Sequence, residues 1–87
     1  MKKDRSTEYR IAKYTMGVTV RLTRIQAYRI RRFEQAEIIR PARTEARQRL
    51  YSDYEIELIR EIARLEDQGI NLIGIKVILA MRKGEKI

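Results

Sequence analysis

The chain is 87 residues long, enough for one small domain with a marginal core, and it contains neither cysteine nor histidine. That excludes disulfides and thiolate metal sites and removes the commonest general base and metal ligand. Its net charge of +8 is uneven: residues 21–49 hold nine arginines and three glutamates, a net of +6, against +3 for residues 1–20 and −1 for residues 50–87.

Residues 1–13 are polar and mixed, with Tyr9, Ile11 and Ala12 the only sizeable apolar group, and read as an arm or a short helix. The start, Met1-Lys2-Lys3-Asp4-Arg5, leads into polar sequence rather than an apolar signal core. Thr15 is placed to cap a first helix of two turns, with Met16, Thr19, Val20 and Leu22 facing inward. A turn is expected around Thr23 to Ile25. A second helix follows from about Gln26 to Gln35, with Ala27, Ile30, Phe33 and Ala36 at helical spacing. Its other face shows Tyr28, Arg29, Arg31 and Arg32. Ile38 and Ile39 close the core, and Pro41 bars further helix.

The segment Arg40 to Ser52 holds four arginines, one glutamate and the only proline, and ends in the strand-like run Arg49-Leu50-Tyr51. It reads as a basic hairpin placed directly after a basic helix. All nine bases of residues 21–49 are arginine, whose planar fork suits phosphates and guanine edges in a way a lysine does not. This pattern points to nucleic-acid binding.

Ser52-Asp53-Tyr54-Glu55 is a capping box for a third helix, whose apolar stripe is Ile56, Ile59, Ile62, Ala63 and Leu65. Gly69 stands where a helix-ending glycine belongs. Asn71 caps a fourth helix through about Arg82, ended by Gly84, with Leu72, Ile75, Ile78 and Leu79 on one face. Val77 and Met81 widen that face, as ordinary core or as a surface for a partner. The longest apolar run, Val77 to Met81, is far too short to span a membrane. The acids Glu55, Glu57, Glu61 and Glu66 form a solvated face with no nucleophile–base pair beside them, so no catalytic residues, metal or cofactor are expected.

The order of helix, short turn, basic helix, wing, helix and helix resembles the DNA-binding domain of the MerR family of bacterial transcription regulators. The residues that carry the resemblance are Tyr14-Thr15-Met16-Gly17, Leu22-Thr23, Ile30-Arg31-Arg32-Phe33-Glu34, Pro41-Ala42-Arg43-Thr44-Glu45, Arg49-Leu50-Tyr51-Ser52 and Gly69-Ile70-Asn71-Leu72-Ile73-Gly74-Ile75-Lys76. Leu22-Thr23, Ala27, Ile30 and Arg31 look like the nitrogen-metabolism repressor branch. Gly69-Ile70-Asn71-Leu72 and the run Val77 to Arg82 also look like the heat-shock repressor branch.

The resemblance implies a mainly α winged helix-turn-helix of about four helices with a small β-hairpin wing. It divides the chain into an arm or dimerisation helix (1–13), the DNA-binding domain (14–82) and a C-terminal tail (83–87). The second helix would lie in the major groove of double-stranded DNA, with Tyr28, Arg29, Arg31 and Arg32 reading bases. Arg32 stands where the family usually has tyrosine. Phe33 is core or a base contact. The wing would set Arg43, Arg47 and Arg49 against phosphates, and Tyr51 either bonds phosphate or packs beneath the wing. Arg24, Glu37, Ala46 and Arg47 replace frequent family glycines, which puts a tight glycine turn at the wing tip in question.

The family's usual long dimerising helix and effector domain have no counterpart in these 87 residues, so a minimal regulator is expected. A homodimer, with Tyr9, Ile11, Val77 and Met81 as its dimer or partner surface, would meet an inverted-repeat operator as a repressor. A protein partner at the tail and a cytoplasmic, nucleoid-associated location complete the expectation. Two alternatives remain open: an architectural or excisionase-like protein that bends or coats DNA, and a protein-interaction module using the apolar fourth helix.

Overall fold

The computed structural model describes the backbone of residues 5–85 and the side chains of residues 7–84. The outer parts of the expected arm and tail, residues 1–4 and 86–87, lie outside the described residues. In chain order the elements are α1 (Arg5–Tyr9), α2 (Met16–Thr23), α3 (Ala27–Gln35), β1 (Ala42–Arg43), β2 (Arg49–Leu50), α4 (Asp53–Asp67) and α5 (Leu72–Glu85). The four helices expected from sequence are α2 to α5, and the arm contributes the short α1.

Helix α4 is the hub, packed by α2, α3 and α5. Its start is the capping box: Ser52 Oγ accepts the Glu55 N–H at 3.2 Å, and Glu55 Oε1 accepts the Ser52 N–H at 3.0 Å. Its apolar stripe is fully used, with Ile56, Ile59, Ile62, Ala63 and Leu65 each at most 5% exposed. Burial of each large side chain contributes about 1.5–3 kcal/mol. Gly69 ends the helix in left-handed backbone (φ 98°). The Gly69 N–H then reaches Glu66 O at 2.9 Å and the Ile70 N–H reaches Leu65 O at 3.2 Å, which is the Schellman pattern.

Helix α2 starts at Thr15, whose side chain accepts the Val18 N–H at 3.3 Å. Thr19 is buried as expected, and Met16 and Val20 pack against the core. Leu22 departs from expectation and is 42% exposed, while Thr23 is buried in its stead. The inward face runs through 16, 19, 20 and 23, and Leu22 lies about 100° round from Thr23. Thr23 is satisfied by donating to Thr19 O at 2.8 Å and accepting the Ile25 N–H at 3.1 Å. Thr19 Oγ1 is buried with no hydrogen-bond partner.

Ile30, Phe33 and Ile39 are sealed in the core, and Ile38 packs against it. Helix α5 is capped by Asn71, whose Oδ1 accepts the Gly74 N–H at 2.8 Å, and it buries Ile75 fully. Gly84 does not end this helix, which continues to Glu85; of the described glycines only Gly69 takes the left-handed backbone that would break a helix.

The β1–β2 hairpin is antiparallel, pairing Ala42 with Leu50 and Arg43 with Arg49. One residue further on, Tyr51 and Tyr14 exchange backbone bonds, Tyr51 N–H to Tyr14 O at 2.7 Å and Tyr14 N–H to Tyr51 O at 2.9 Å. The segment ahead of α2 thereby anchors the hairpin base. Helices α2 and α3 with their turn form a helix-turn-helix, and the hairpin is its wing.

Candidate nucleic-acid interface

Helix α3 is amphipathic, with Ile30 and Phe33 at 0% exposure on one side. Phe33 is therefore core, which leaves Tyr28, Arg31, Arg32 and Gln35 on the open side. Tyr28 is 60% exposed. The Arg31 guanidinium has no ion pair or side-chain hydrogen bond among the described residues.

The neighbouring arginines differ. Arg29 is half-buried and donates to Glu66 at 2.9 Å and to Asp67 at 3.2 Å, both on α4. The Glu66 bond holds its guanidinium more firmly protonated, against the opposing effect of burial. Arg32 donates to the other oxygen of Glu66 at 3.1 Å but remains half exposed. One glutamate on α4 thus holds two of the four arginine or tyrosine positions expected to read bases.

The wing repeats this arrangement. Glu34 on α3 takes a bidentate grip from Arg49, Nε to Oε2 at 3.0 Å and Nη2 to Oε1 at 2.9 Å. Arg43 adds a longer contact to the same carboxylate at 3.4 Å and donates to Arg47 O at 3.2 Å. Such charge-assisted bonds are the strong kind, and here they fix the wing against α3. Glu34 is mostly buried, and its bond raises the Arg49 pKa further.

The wing tip closes without glycine. The Arg47 N–H donates to Thr44 O at 2.8 Å, the Thr44 N–H to Gln48 O at 2.9 Å, and the Gln48 N–H to Thr44 Oγ1 at 3.1 Å. Arg47 takes the left-handed position (φ 67°). This is a three-residue hairpin loop whose last member is left-handed, rather than a two-residue primed turn. The Arg47 side chain is exposed and unpaired among the described residues, as are those of Arg21, Arg24 and Arg40.

Tyr51 is 0% exposed, and burial pushes its phenol up to about 12. Its hydroxyl meets only Met16 Sδ, at 3.9 Å. Of the two expectations for Tyr51, packing beneath the wing matches its position, and a phosphate contact would need it to leave the core.

The remaining expected residues are dispersed. Tyr9 lies partly buried against α4: its hydroxyl donates to Glu57 at 2.6 Å, which with burial raises its pKa to about 12, and its ring meets Tyr54 edge-on at 5.7 Å. Ile11, Val77 and Met81 are exposed. Ile73, at 78% exposure, joins Val77 and Met81 in a stripe along α5; their spacing of four residues was the signal in the sequence. Arg21, Arg24 and Arg40 are further exposed arginines that the sequence does not mark as contacts; Arg24 alone of the three carries a local signal, standing where the family frequently has glycine. Among the described residues no cluster of carboxylates could hold a metal ion, and no helix is long and apolar enough to cross a membrane.

Comparison with known proteins matches residues 14–82 to the model of the MerR HTH family regulatory proteins. The chain is 35% identical over 72 residues to the HTH-type transcriptional regulator GlnR of Bacillus anthracis, covering 83% of this chain and 56% of that protein. It is 36% identical over 69 residues to the putative heat shock protein HspR of Streptomyces coelicolor, covering 78% of this chain and 46% of HspR. It is 32% identical over 71 residues to the HTH-type transcriptional regulator MlrA of Escherichia coli, covering 80% of this chain and 29% of MlrA. The chain thus spans about half the length of the first of these relatives, and the matched stretch contains α2, α3, the wing and α4 whole, with most of α5. The chain belongs to the MerR HTH family of regulatory proteins.

Proposed function

We propose that this protein is a DNA-binding transcription regulator that sets α3 in the major groove and the wing on the flanking backbone. The observation that carries this reading is the division among the arginines: Glu34 and Glu66 hold four of them, while the side chains of Arg31, beside exposed Tyr28, and Arg47 at the wing tip have no partner among the described residues. Arg31 and Tyr28 read bases. Arg32 joins them by exchanging or sharing its bond to Glu66. Arg29 orients α3 on α4 and contacts DNA least. Arg47 grips phosphate, and Arg43 and Arg49 present the wing while held by Glu34. Phosphate contacts set affinity and register, and base contacts set sequence.

The regulator acts as a repressor on an inverted repeat, as a homodimer whose half-sites lie about 34–36 Å apart. The exposed stripe Ile73, Val77 and Met81 supports a dimer surface on α5, with Ile11 a second exposed apolar position ahead of α2. Catalysis has no part in the reading, and its site of action is the bacterial nucleoid. The test is selection of bound genomic fragments followed by footprinting. A compact footprint with dyad symmetry is expected. A footprint that spreads from its first site would replace the regulator with a DNA-coating protein, and failure to retain DNA at moderate salt would replace it with a protein-interaction module.

A further inference from the structure

Three residues other than glycine hold left-handed backbone among those described: Arg24 (φ 64°), Glu37 (φ 61°) and Arg47 (φ 67°). Glycine enters this conformation freely, whereas a side chain brings Cβ against the following carbonyl. A side chain retained there needs a reason. Glu37 has a charged partner on the protein surface, since its carboxylate faces Lys76 at 3.7 Å. Arg24 has none. It is exposed, and its guanidinium makes no ion pair or side-chain hydrogen bond among the described residues. Its contribution to folding is the bond from its backbone N–H to Val20 O at 2.8 Å, which glycine would make equally well.

Arg24 is also placed in a particular spot. It closes α2 and stands three residues ahead of the first residue of α3, in the turn of the helix-turn-helix. Arg47 is its counterpart on the wing, left-handed, exposed and unpaired in the same way. The two elements flanking the open side of α3 in sequence therefore each carry a free arginine in backbone that favours glycine.

We propose that Arg24 is a phosphate contact made by the helix-turn-helix turn. It holds its strained backbone because glycine would relieve the strain but carry no charge. The proposal rests on the DNA-binding reading, and it adds a contact from a turn that the sequence did not mark as part of the interface. A phosphate contact is indifferent to base sequence, so a duplex of random sequence is a sufficient probe.

The experiment measures thermal midpoint and affinity for that duplex across a salt series, with the full chain and with Arg24→Gly, Arg24→Asn, Glu37→Gly and Lys83→Ala. Arg24→Gly is expected to raise the midpoint by about 2–4 °C, the net of relieved strain and glycine's greater freedom in the unfolded chain. It is expected to weaken binding about 3–10-fold near 0.1 M salt and to lower the slope of log affinity against log salt by about 0.9. Asparagine tolerates the left-handed region, so Arg24→Asn should lose the same binding with the fold kept. Glu37→Gly relieves similar strain and should lose no affinity. Lys83→Ala removes an equal charge from the last turns of α5 and should change affinity less than twofold.

Two results overturn the proposal while leaving the DNA reading intact: Arg24→Gly and Arg24→Asn keeping full affinity and slope, or Lys83→Ala losing as much as they do. An unaltered chain that does not bind the duplex at low salt overturns both.

Discussion

The α3–wing face and the α4–α5 pair use their charges in opposite ways. On α4 and α5 acids slightly outnumber bases and are taken up within the fold: Glu61 accepts from Arg64 at 2.7 Å and from Arg82 at 2.9 Å, while Asp53 faces Lys13 and Glu66 and Asp67 face Arg29. Residues 21–49 hold nine arginines against three glutamates, so internal pairing cannot be complete. Two carboxylates, Glu34 and Glu66, are each shared between two arginines, and the side chains of the five other arginines in this stretch have no partner among the described residues. The charges of α4 and α5 serve the fold. Residues 21–49 hold some arginines as scaffold and leave others unpaired among the described residues, and they also contain the three described left-handed residues that are not glycine.

The largest effect is expected beneath the wing. Tyr51 is buried between the wing and α2. Tyr51→Ala should destabilise the fold by about 3–5 kcal/mol in chemical denaturation, as a large buried ring is removed. Tyr51→Phe should change stability by less than about 1 kcal/mol and leave DNA affinity unchanged, because the hydroxyl makes one weak sulfur contact. A loss of affinity in Tyr51→Phe would return this residue to the interface.

The next largest effect tests whether Glu34 is scaffold. Glu34→Gln removes the charged bonds to Arg49 and Arg43 and should cost about 1.5–3 kcal/mol. It should also increase backbone hydrogen exchange through the wing more than through α4 or α5. Uniform loss of protection would mean that the pair does not couple the wing to α3. A smaller, opposite change is expected in α2. Thr19 Oγ1 is buried without a partner, so Thr19→Val should stabilise by about 1 kcal/mol in the same denaturation assay.

The smallest effect lies in the α4–α5 pair. Hydrogen bonds from Arg64 and Arg82 hold the Glu61 carboxyl down at about 2. A depressed carboxyl contributes stability above its unfolded value near 4.5, and that contribution is lost as pH falls from there toward about 2. The pair faces solvent, so the contribution is about 1 kcal/mol or less. Glu61→Gln should flatten the stability profile across this window and lower stability near neutrality by that same amount, with the two proteins converging in acid. An equally steep acid profile in the variant would assign the acid sensitivity to other carboxylates.

Helix α4 was legible almost residue by residue, because its cap, stripe and terminating glycine are all local signals. The helix-turn-helix and the wing were legible from charge, from Pro41 and from a resemblance spread over several blocks. The wing tip was legible only as a doubt about missing glycines, and Arg47 resolves it by taking the left-handed position itself. What stayed hidden depends on partners distant in sequence. Arg29 and Arg31 look alike along the helix, yet Glu66, 37 residues beyond Arg29, holds the first and not the second. The Tyr14–Tyr51 bridge and the burial of Tyr51 likewise need the chain to close on itself. Leu22 was misplaced because a two-turn helix leaves its inward face poorly determined.

If the arginines left unpaired among the described residues are the ones that meet DNA, Arg31 and Arg29 must behave differently. Arg31→Ala and Arg29→Ala are compared in affinity for a selected genomic site and for a scrambled duplex at fixed salt. Arg31→Ala is expected to lose about 1–3 kcal/mol of preference for the selected site. Arg29→Ala should lose stability while keeping most of that preference. Preference abolished by Arg29→Ala in protein that remains folded, with Arg31→Ala unchanged, would contradict the assignment of unpaired arginines to DNA.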